Sequence, residues 1–463
     1  MTERFGIGQA VSRLEDPRLL RGEGRFIQDH DLPGQAHLVL VRSPHAHARI
    51  VSIDSSTAAS APGVLGIYTV EDLARDGIGT TAPTLKRSRP DGSPMFWRAH
   101  PGLARDRVRY VGDPVAAVVA ETLMQAKDAA ERVAIEYEPL PSVTETDRAA
   151  LPGAAPVWDE CPDNISNVFE VGDGAATDAA FARAAHTDTR RYAISRVHAQ
   201  FIEPRGALGS WDAGAERYTL RTDVQYPHRV REVLAGVLRV AENRVRVVSG
   251  DVGGAFGAKG WAYAEHRLVL WLARKLGRPV KWTCERSEAP LADEHARDCV
   301  SEAELALDAA RKFLALRVRT TSNLGAYVSS DRTLVHTFAN LGSLVGMYAF
   351  PTAHVRVTGV LTNTSSTAPY RGAGRPEAIY VLERLIDDAA RELGMDRVEL
   401  RRRNLVAPAS MPYKTALTFT YDCGEFERVM DKALDLGGWD GIAARREQST
   451  RRGRLRGIGI ANA

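Results

Sequence analysis

Apolar residues along this chain fall into two patterns. Short continuous or alternating runs bounded by turn residues predict strands, and stretches with apolar positions at three- and four-residue spacing predict helices. Over residues 19–140 the strand pattern recurs at 36–41, 49–53, 64–68, 108–111 and 115–120. Thr122 with Gln125 forms a capping box ahead of an alanine-rich helix reaching Val133. This stretch predicts a small α+β unit. The tract 138–162 carries five prolines and no period, so residues 141–163 are assigned as a linker.

From 164 to 407 strands and helices alternate. Strands are expected at 218–224, 244–248 and 279–284, helices at 227–238 and 261–276, and a hairpin turns across 307–313. A strand at 354–361 leads into a helix opened by Pro376, where Ile379, Leu382, Leu385, Ile386, Ala389 and Leu393 keep helical spacing up to Gly394. Residues 408–463 begin a further unit in which 454–462 reads as a long strand.

Two strand–loop–helix units carry glycine-rich loops. In Asp251-Val-Gly-Gly-Ala-Phe-Gly-Ala-Lys259, the residues Gly253, Gly254 and Gly257 bare the backbone so that N–H groups can approach a bulky anion, and the helix that follows adds its dipole. Phe256 is the one large side chain there. The spacing fits neither a Walker loop nor the dinucleotide fingerprint. In Pro369-Tyr-Arg-Gly-Ala-Gly-Arg-Pro-Glu377, Arg371 and Arg375 flank Gly372, Ala373 and Gly374, so guanidinium forks and bare N–H groups converge. Either loop alone reads equally as a turn without a ligand. Together they predict two walls of one anion site.

Composition narrows the classes. The chain has 463 residues, enough for two or three cores, and 61 basic against 58 acidic residues give no case for nucleic acid. The arginine clusters at 401–403 and 451–452 are expected to be solvated faces. No run approaches the roughly 18 consecutive apolar residues of a membrane span, and the first six residues hold no apolar signal core, so a cytoplasmic protein is expected. Cys161, Cys284, Cys299 and Cys423 have no iron–sulfur spacing and are read as free thiols. His45 and His47 could share a strand face toward a metal, but adjacent Pro44 and the lack of a third ligand favour a structural role, so no metal-ligating side chain is assigned. Glu203 reads as a paired structural carboxylate and His228 as a helix-start residue.

The two loops, with Arg13-Leu-Glu-Asp-Pro17, Arg42-Ser-Pro-His-Ala-His-Ala-Arg49, Tyr110-Val-Gly-Asp-Pro114 and Arg278-Pro-Val-Lys-Trp282, give a chain that resembles the large, molybdopterin-binding subunit of the xanthine dehydrogenase, aldehyde oxidase and carbon monoxide dehydrogenase group. The resemblance implies an α+β fold: an α/β hammerhead domain at 19–140, a first molybdopterin-binding domain at 164–407, and an incomplete second one at 408–463. It implies hydroxylation of an electron-poor carbon with oxygen from water, at molybdenum held by the pterin rather than by side chains. The cofactor would be molybdopterin in its cytosine dinucleotide form, with 2Fe–2S clusters and FAD on partner subunits.

By the same resemblance, Gln225 is the catalytic amide that donates to the apical oxygen of the metal. Phe256 stands beside the metal and Arg371 beside the pterin, while Gly253, Gly254, Gly257, Gly372, Ala373 and Gly374 line the cofactor. Departures narrow the substrate. Purine hydroxylases carry a glutamate where Gly260 stands and an arginine within the stretch 333–355, which has none. Carbon monoxide oxidisers place a cysteine where Gly372 follows Arg371. An aldehyde or another N-heterocycle remains. The family's general base lies in a C-terminal third beyond this sequence, so either a further polypeptide carrying that domain is an expected partner or the sequence is an incomplete chain, and alone it is expected to be inactive. A non-catalytic assembly subunit that kept the fold is the rival reading, with another anion-binding oxidoreductase behind it.

Overall fold

The computed structural model describes residues 8–463; the opening segment read above for the lack of a signal core lies almost wholly outside it. The strands, in chain order, are β1 (Ala36–Arg42), β2 (Ala48–Asp54), β3 (Val64–Tyr68), β4 (Arg107–Val108), β5 (Pro114–Ala120), β6 (Ala134–Pro139), β7 (Ile165–Gly172), β8 (His186–Val197), β9 (Gly206–Asp212), β10 (Arg217–Thr222), β11 (Val245–Val248), β12 (Val280–Thr283), β13 (Ala296–Leu307), β14 (Phe313–Gly325) and β15 (Thr352–Leu361). The helices that matter for the site are α1 (Leu123–Ala130), α2 (Pro227–Leu238), α3 (Ala264–Leu276), α4 (Asp331–Phe338), α5 (Arg375–Glu392) and α6 (Arg397–Asn404).

A seven-stranded sheet in the order β11-β10-β9-β12-β1-β5-β3 joins both predicted units, because β1 pairs parallel with β12, with Ala36 opposite Val280. The expected boundary between a hammerhead unit and the next one is therefore not a break in the fold: strands from either side share one sheet. Strand β5 explains how. Its sequence, Pro-Val-Ala-Ala-Val-Val-Ala, is buried along its whole length. The period of two sends Ala117 and Val119 into the core beneath α2 and α3, and Val118 into a second core under α1. The smaller sheet β4-β2-β6 closes that second core.

Helix α3 is buried from Glu265 to Ala273, with an unbroken apolar run from Leu268 to Ala273, so it lies inside. It packs on β9, β12 and β10. A five-stranded sheet, β7-β15-β14-β13-β8, carries α5 on its face, and the predicted hairpin β13–β14 turns as expected.

Several expectations are corrected. The strand read at 108–111 is only Arg107–Val108. The proline-rich tract is an ordered strap that buries Val143, Ala149, Val157 and Cys161 in a core with Leu324 and Tyr327, while Leu151 stays exposed. Residues 454–462 form no strand, for no strand runs beside them among the described residues; instead Arg397 and Arg401 donate to the carbonyls of Ile458 and Ile460 at 2.7 and 3.4 Å. Arg401 is fully buried rather than solvated, because α6 packs on α5 and the guanidinium takes the carboxylates of Glu383 and Asp387 at 2.8 and 2.7 Å. No helix among the described residues is long and apolar enough to cross a membrane.

Candidate functional site

The first glycine loop leaves the end of β11 and is tied down at each end by charged side chains. At its start, both oxygens of Asp251 accept Arg18 at 2.7 Å, and the Arg25 N–H donates to Oδ2 at 2.7 Å. Those bonds hold the Asp251 carboxyl well below the usual carboxylate range. Next, Gly253 N–H donates to Glu203 Oε2 at 2.6 Å, while Glu203 Oε1 accepts the Ile27 N–H at 3.1 Å. Gly253 is glycine for this neighbour: an added Cβ would overlap the Glu203 side chain.

Lys259 ends the loop and turns inward. Its ammonium donates to Glu203 O at 2.7 Å and to Oε2 at 3.3 Å, pairs with Asp223, and lies 4.3 Å from the centre of the Phe201 ring. All three charged groups are buried. One cation between two carboxylates leaves a surplus negative charge out of water, and burial pushes Asp223 up to about 6 despite Lys259.

Gln225 follows β10 on the strand-end stretch Asp223-Val-Gln225. Its N–H donates to Lys259 O at 2.9 Å, and its side-chain Oε1 accepts Gly257 N–H at 3.1 Å. With the oxygen committed to an N–H, the amide NH₂ is left as a free donor beside the loop. Phe256 and Gly257 take positive φ, 50° and 105°. The N–H groups of Gly254, Ala255 and Phe256 have no partner among the described residues, which makes this turn an anion-accepting concavity.

The expected helix dipole does not reach it. Helix α3 begins at Ala264, with residues 260–263 intervening, and His266 closes its first turn by accepting the Tyr263 N–H on Nδ1 at 3.2 Å. The ring proton is thereby on Nε2, donating to Thr222 Oγ at 3.1 Å, while that hydroxyl donates to Gly206 O at 2.6 Å. Burial, reinforced by Arg205, lowers His266 to about 3, so it is neutral.

The second loop meets the first directly. Arg371 N–H donates to Phe256 O at 2.8 Å, and a Cβ at position 257 would collide with the Pro369 carbonyl. Gly257 thus serves both its φ and this close approach. Ala373 N–H folds back to Tyr370 O at 2.7 Å, its carbonyl accepts Asn340 Nδ2 at 2.6 Å, and Gly374 caps α5, with Pro376 in the first turn as the sequence predicts. The Arg371 guanidinium lies 6.0 Å from the Phe256 ring centre, and the exposed side chains of Arg371 and Arg375 hold no hydrogen bond among the described residues.

The expected residues Gly253, Gly254, Phe256, Gly257, Arg371, Gly372, Ala373 and Gly374 therefore lie on two touching loops, and Gln225 stands at a strand end hydrogen-bonded to the first of them. Between them are unpaired N–H groups, a free amide donor, an exposed aromatic face and two unpaired guanidiniums. Such a cleft can hold a large planar anion and donate to an oxygen on it. Sequence reasoning set Glu203 aside and missed Lys259, Asp223, Arg18 and Asp251. Their signal was a lysine at the end of an otherwise apolar loop, which demands buried carboxylates. The remaining candidates are structural. His47 Nδ1 donates to Pro141 O at 2.8 Å, His45 packs on Tyr137 with ring centres 5.0 Å apart, and His228 sits exposed in the first turn of α2. All four cysteines are free, Cys423 exposed and the others buried.

Residues 157–405 match the molybdopterin cofactor-binding domain family, and residues 21–141 match the aldehyde oxidase and xanthine dehydrogenase a/b hammerhead domain. The chain is 34% identical to the 6-hydroxypseudooxynicotine dehydrogenase complex subunit gamma of Paenarthrobacter nicotinovorans, over 98% of this chain and 57% of that protein. It is 33% identical to the carbon monoxide dehydrogenase large chain of Afipia carboxidovorans, over 98% of this chain and 58% of that one. Among solved structures, quinoline 2-oxidoreductase from Pseudomonas putida 86 superposes with a TM-score of 0.88 at 34% identity, over 96% of this chain and 56% of that one. The chain thus spans a little over half the length of these relatives.

Proposed function

Because the chain belongs to the molybdopterin cofactor-binding domain family, we propose that its two glycine loops form one wall of a molybdopterin site in a molybdenum hydroxylase. The observation that carries this reading is the donor set: three successive unpaired N–H groups on the first loop and a free Gln225 NH₂ hydrogen-bonded beside them, with the second loop tied to the first. When bound, the cofactor supplies a redox metal centre that accepts two electrons from an electron-poor carbon while water supplies the oxygen.

The chain's own residues orient and polarise. Gln225 points its NH₂ at the developing oxygen charge, held there by Gly257 on its other side. The Gly254 to Phe256 N–H groups take the anionic face of the pterin. Phe256 shields that face from water, and Arg371 balances the charge. The proposed cofactor is the cytosine dinucleotide form. The proposed partners are a subunit with 2Fe–2S clusters and an FAD subunit. The proposed compartment is the cytoplasm.

The proposed substrate is an aldehyde or an N-heterocycle. Quinoline, named in the structural relative above, belongs to the second class. Gly260 argues against purines and Gly372 against carbon monoxide. Metal and pterin analysis of the assembled enzyme tests the reading. About one molybdenum and one pterin per chain, with dye-coupled oxidation of aldehydes or N-heterocycles, supports it; an assembled complex with no molybdenum returns the chain to a scaffold role.

A further inference from the structure

Gly260 and Arg332 make a pair that the reading above does not use. Arg332 stands in the first turn of α4, which is fixed because Asp331 Oδ1 accepts the N–H groups of Thr84 and Leu85 at 2.6 and 2.8 Å. From there its guanidinium reaches the end of the first glycine loop. Nη2 donates to Gly257 O at 2.9 Å and Ala258 O at 3.3 Å, and lies 3.3 Å from Glu294 Oε2. Nη1 has no hydrogen bond among the described residues and occupies the place where a side chain at 260 would start; an added Cβ there would overlap it. The missing side chain at 260 is what lets the guanidinium in.

The pair is close to the proposed chemistry. Gly257 gives its N–H to Gln225 and its carbonyl to Arg332, so one loop residue separates the candidate catalytic amide from the guanidinium. Trp261, next to Gly260, and Glu294, the ion partner of Arg332, line a cavity of about 90 Å³ with Tyr263 and Tyr327. The Trp261 Nε1–H is buried there without a partner. Glu294 is half-buried, and burial raises its carboxyl while the Arg332 guanidinium works against that rise. The walls offer aromatic faces for a planar ring, and the Arg332 guanidinium is joined to them through Glu294, with Nη1 and Nε both without a hydrogen bond among the described residues.

We propose that Arg332 is a specificity-determining residue, admitted by Gly260, whose Nη1 recognises an anionic oxygen on a planar N-heterocyclic substrate, a ring carboxylate above all. This rests on the cleft being the molybdopterin site. It predicts a charge preference that a mere clamp on the loop would not produce. The test is calorimetric binding to the assembled, molybdenum-analysed enzyme of two ligands of one shape, pyridine-3-carboxylate and uncharged 3-methylpyridine. The native enzyme binds the carboxylate more tightly. Arg332→Gln weakens that binding about tenfold to hundredfold, the loss of one charge-assisted hydrogen bond, and leaves 3-methylpyridine and molybdenum content unchanged. Gly260→Ala, which displaces the guanidinium without removing it, reproduces the effect, and Arg332→Lys recovers part of it. Equal losses for both ligands, or a native enzyme indifferent to the carboxylate, overturn the proposal. Since binding needs no turnover, absence of molybdenum in the native complex tells against the parent reading separately.

Discussion

The Arg371 N–H donates to the Phe256 carbonyl across 2.8 Å, joining two loops far apart in sequence. Through that bond the N–H groups of the first loop and the guanidinium of the second are held against each other before any ligand arrives. Preorganisation of this kind removes part of the ordering cost of binding.

The joint is predicted to be sensitive to a single methyl group. In Gly257→Ala the Cβ meets the Pro369 carbonyl, and the residue must hold a φ of 105° that side chains resist. Molybdenum per folded chain should fall sharply with the far-ultraviolet circular dichroism unchanged. Full metal loading in the folded variant would show that the loops need not touch.

Gln225 offers a cleaner dissection. Gln225→Glu keeps an oxygen for the Gly257 N–H and replaces the NH₂ donor with a carboxylate oxygen that can only accept, whereas Gln225→Ala loses both groups. The glutamate variant is expected to retain cofactor and lose about 10² to 10³ in turnover, the usual cost of one oriented donor. The alanine variant should also lose cofactor. Turnover by Gln225→Glu at the native rate and full loading would remove Gln225 from the chemistry.

Glu203 holds Ile27, Gly253 and Lys259 at once. Glu203→Ala leaves two N–H groups without an acceptor while Lys259 keeps Asp223, so it should cost about 2–4 kcal/mol. Urea unfolding of the full chain measures this; a shift below 1 kcal/mol, by roughly the value of a surface pair, would mean that the cluster contributes no net stability.

His266 gives a signed pH effect. Its folded value of about 3 lies below the 6.5 of the free side chain. Between those limits the unfolded chain takes up a proton that the folded one refuses, so stability is lost as pH falls from 6.5 toward 3. His266→Gln should remove about 2–3 kcal/mol of the loss measured between pH 6.5 and 4.5 by urea midpoints. An identical slope in the variant would assign the acid sensitivity elsewhere.

Local elements were legible where a short period and a stop signal coincide. The helix Pro227–Leu238 is found at the residues read for it, and the hairpin between Leu307 and Phe313 turns where predicted. The two glycine loops were legible because bare backbone between a strand and a helix has few uses. What stayed hidden was long-range partnership. Arg401 looks like any surface arginine until Glu383 and Asp387 are brought beside it by the packing of two helices. Lys259 and Asp223 are joined only once β10 and the loop lie together. The segment 454–462 has the composition of a strand, yet a strand also needs a neighbour to pair with. Periodicity reports which face is apolar, and says nothing of which distant carboxylate answers a charge.

Because β1 completes its pairing with β12, synthesis order becomes a problem of timing. Ala36 emerges long before Val280, its partner across the parallel ladder. At about 5–20 residues per second the ribosome needs roughly 10–50 s to deliver the second strand. During that interval β1 can zip to β5 on one side, while its other edge waits as an open template for any passing strand. The nascent chain therefore has a window of vulnerability that closes only when more than half of it has been made, and a holding chaperone that covers this edge would raise the yield of folded protein more than one acting after release.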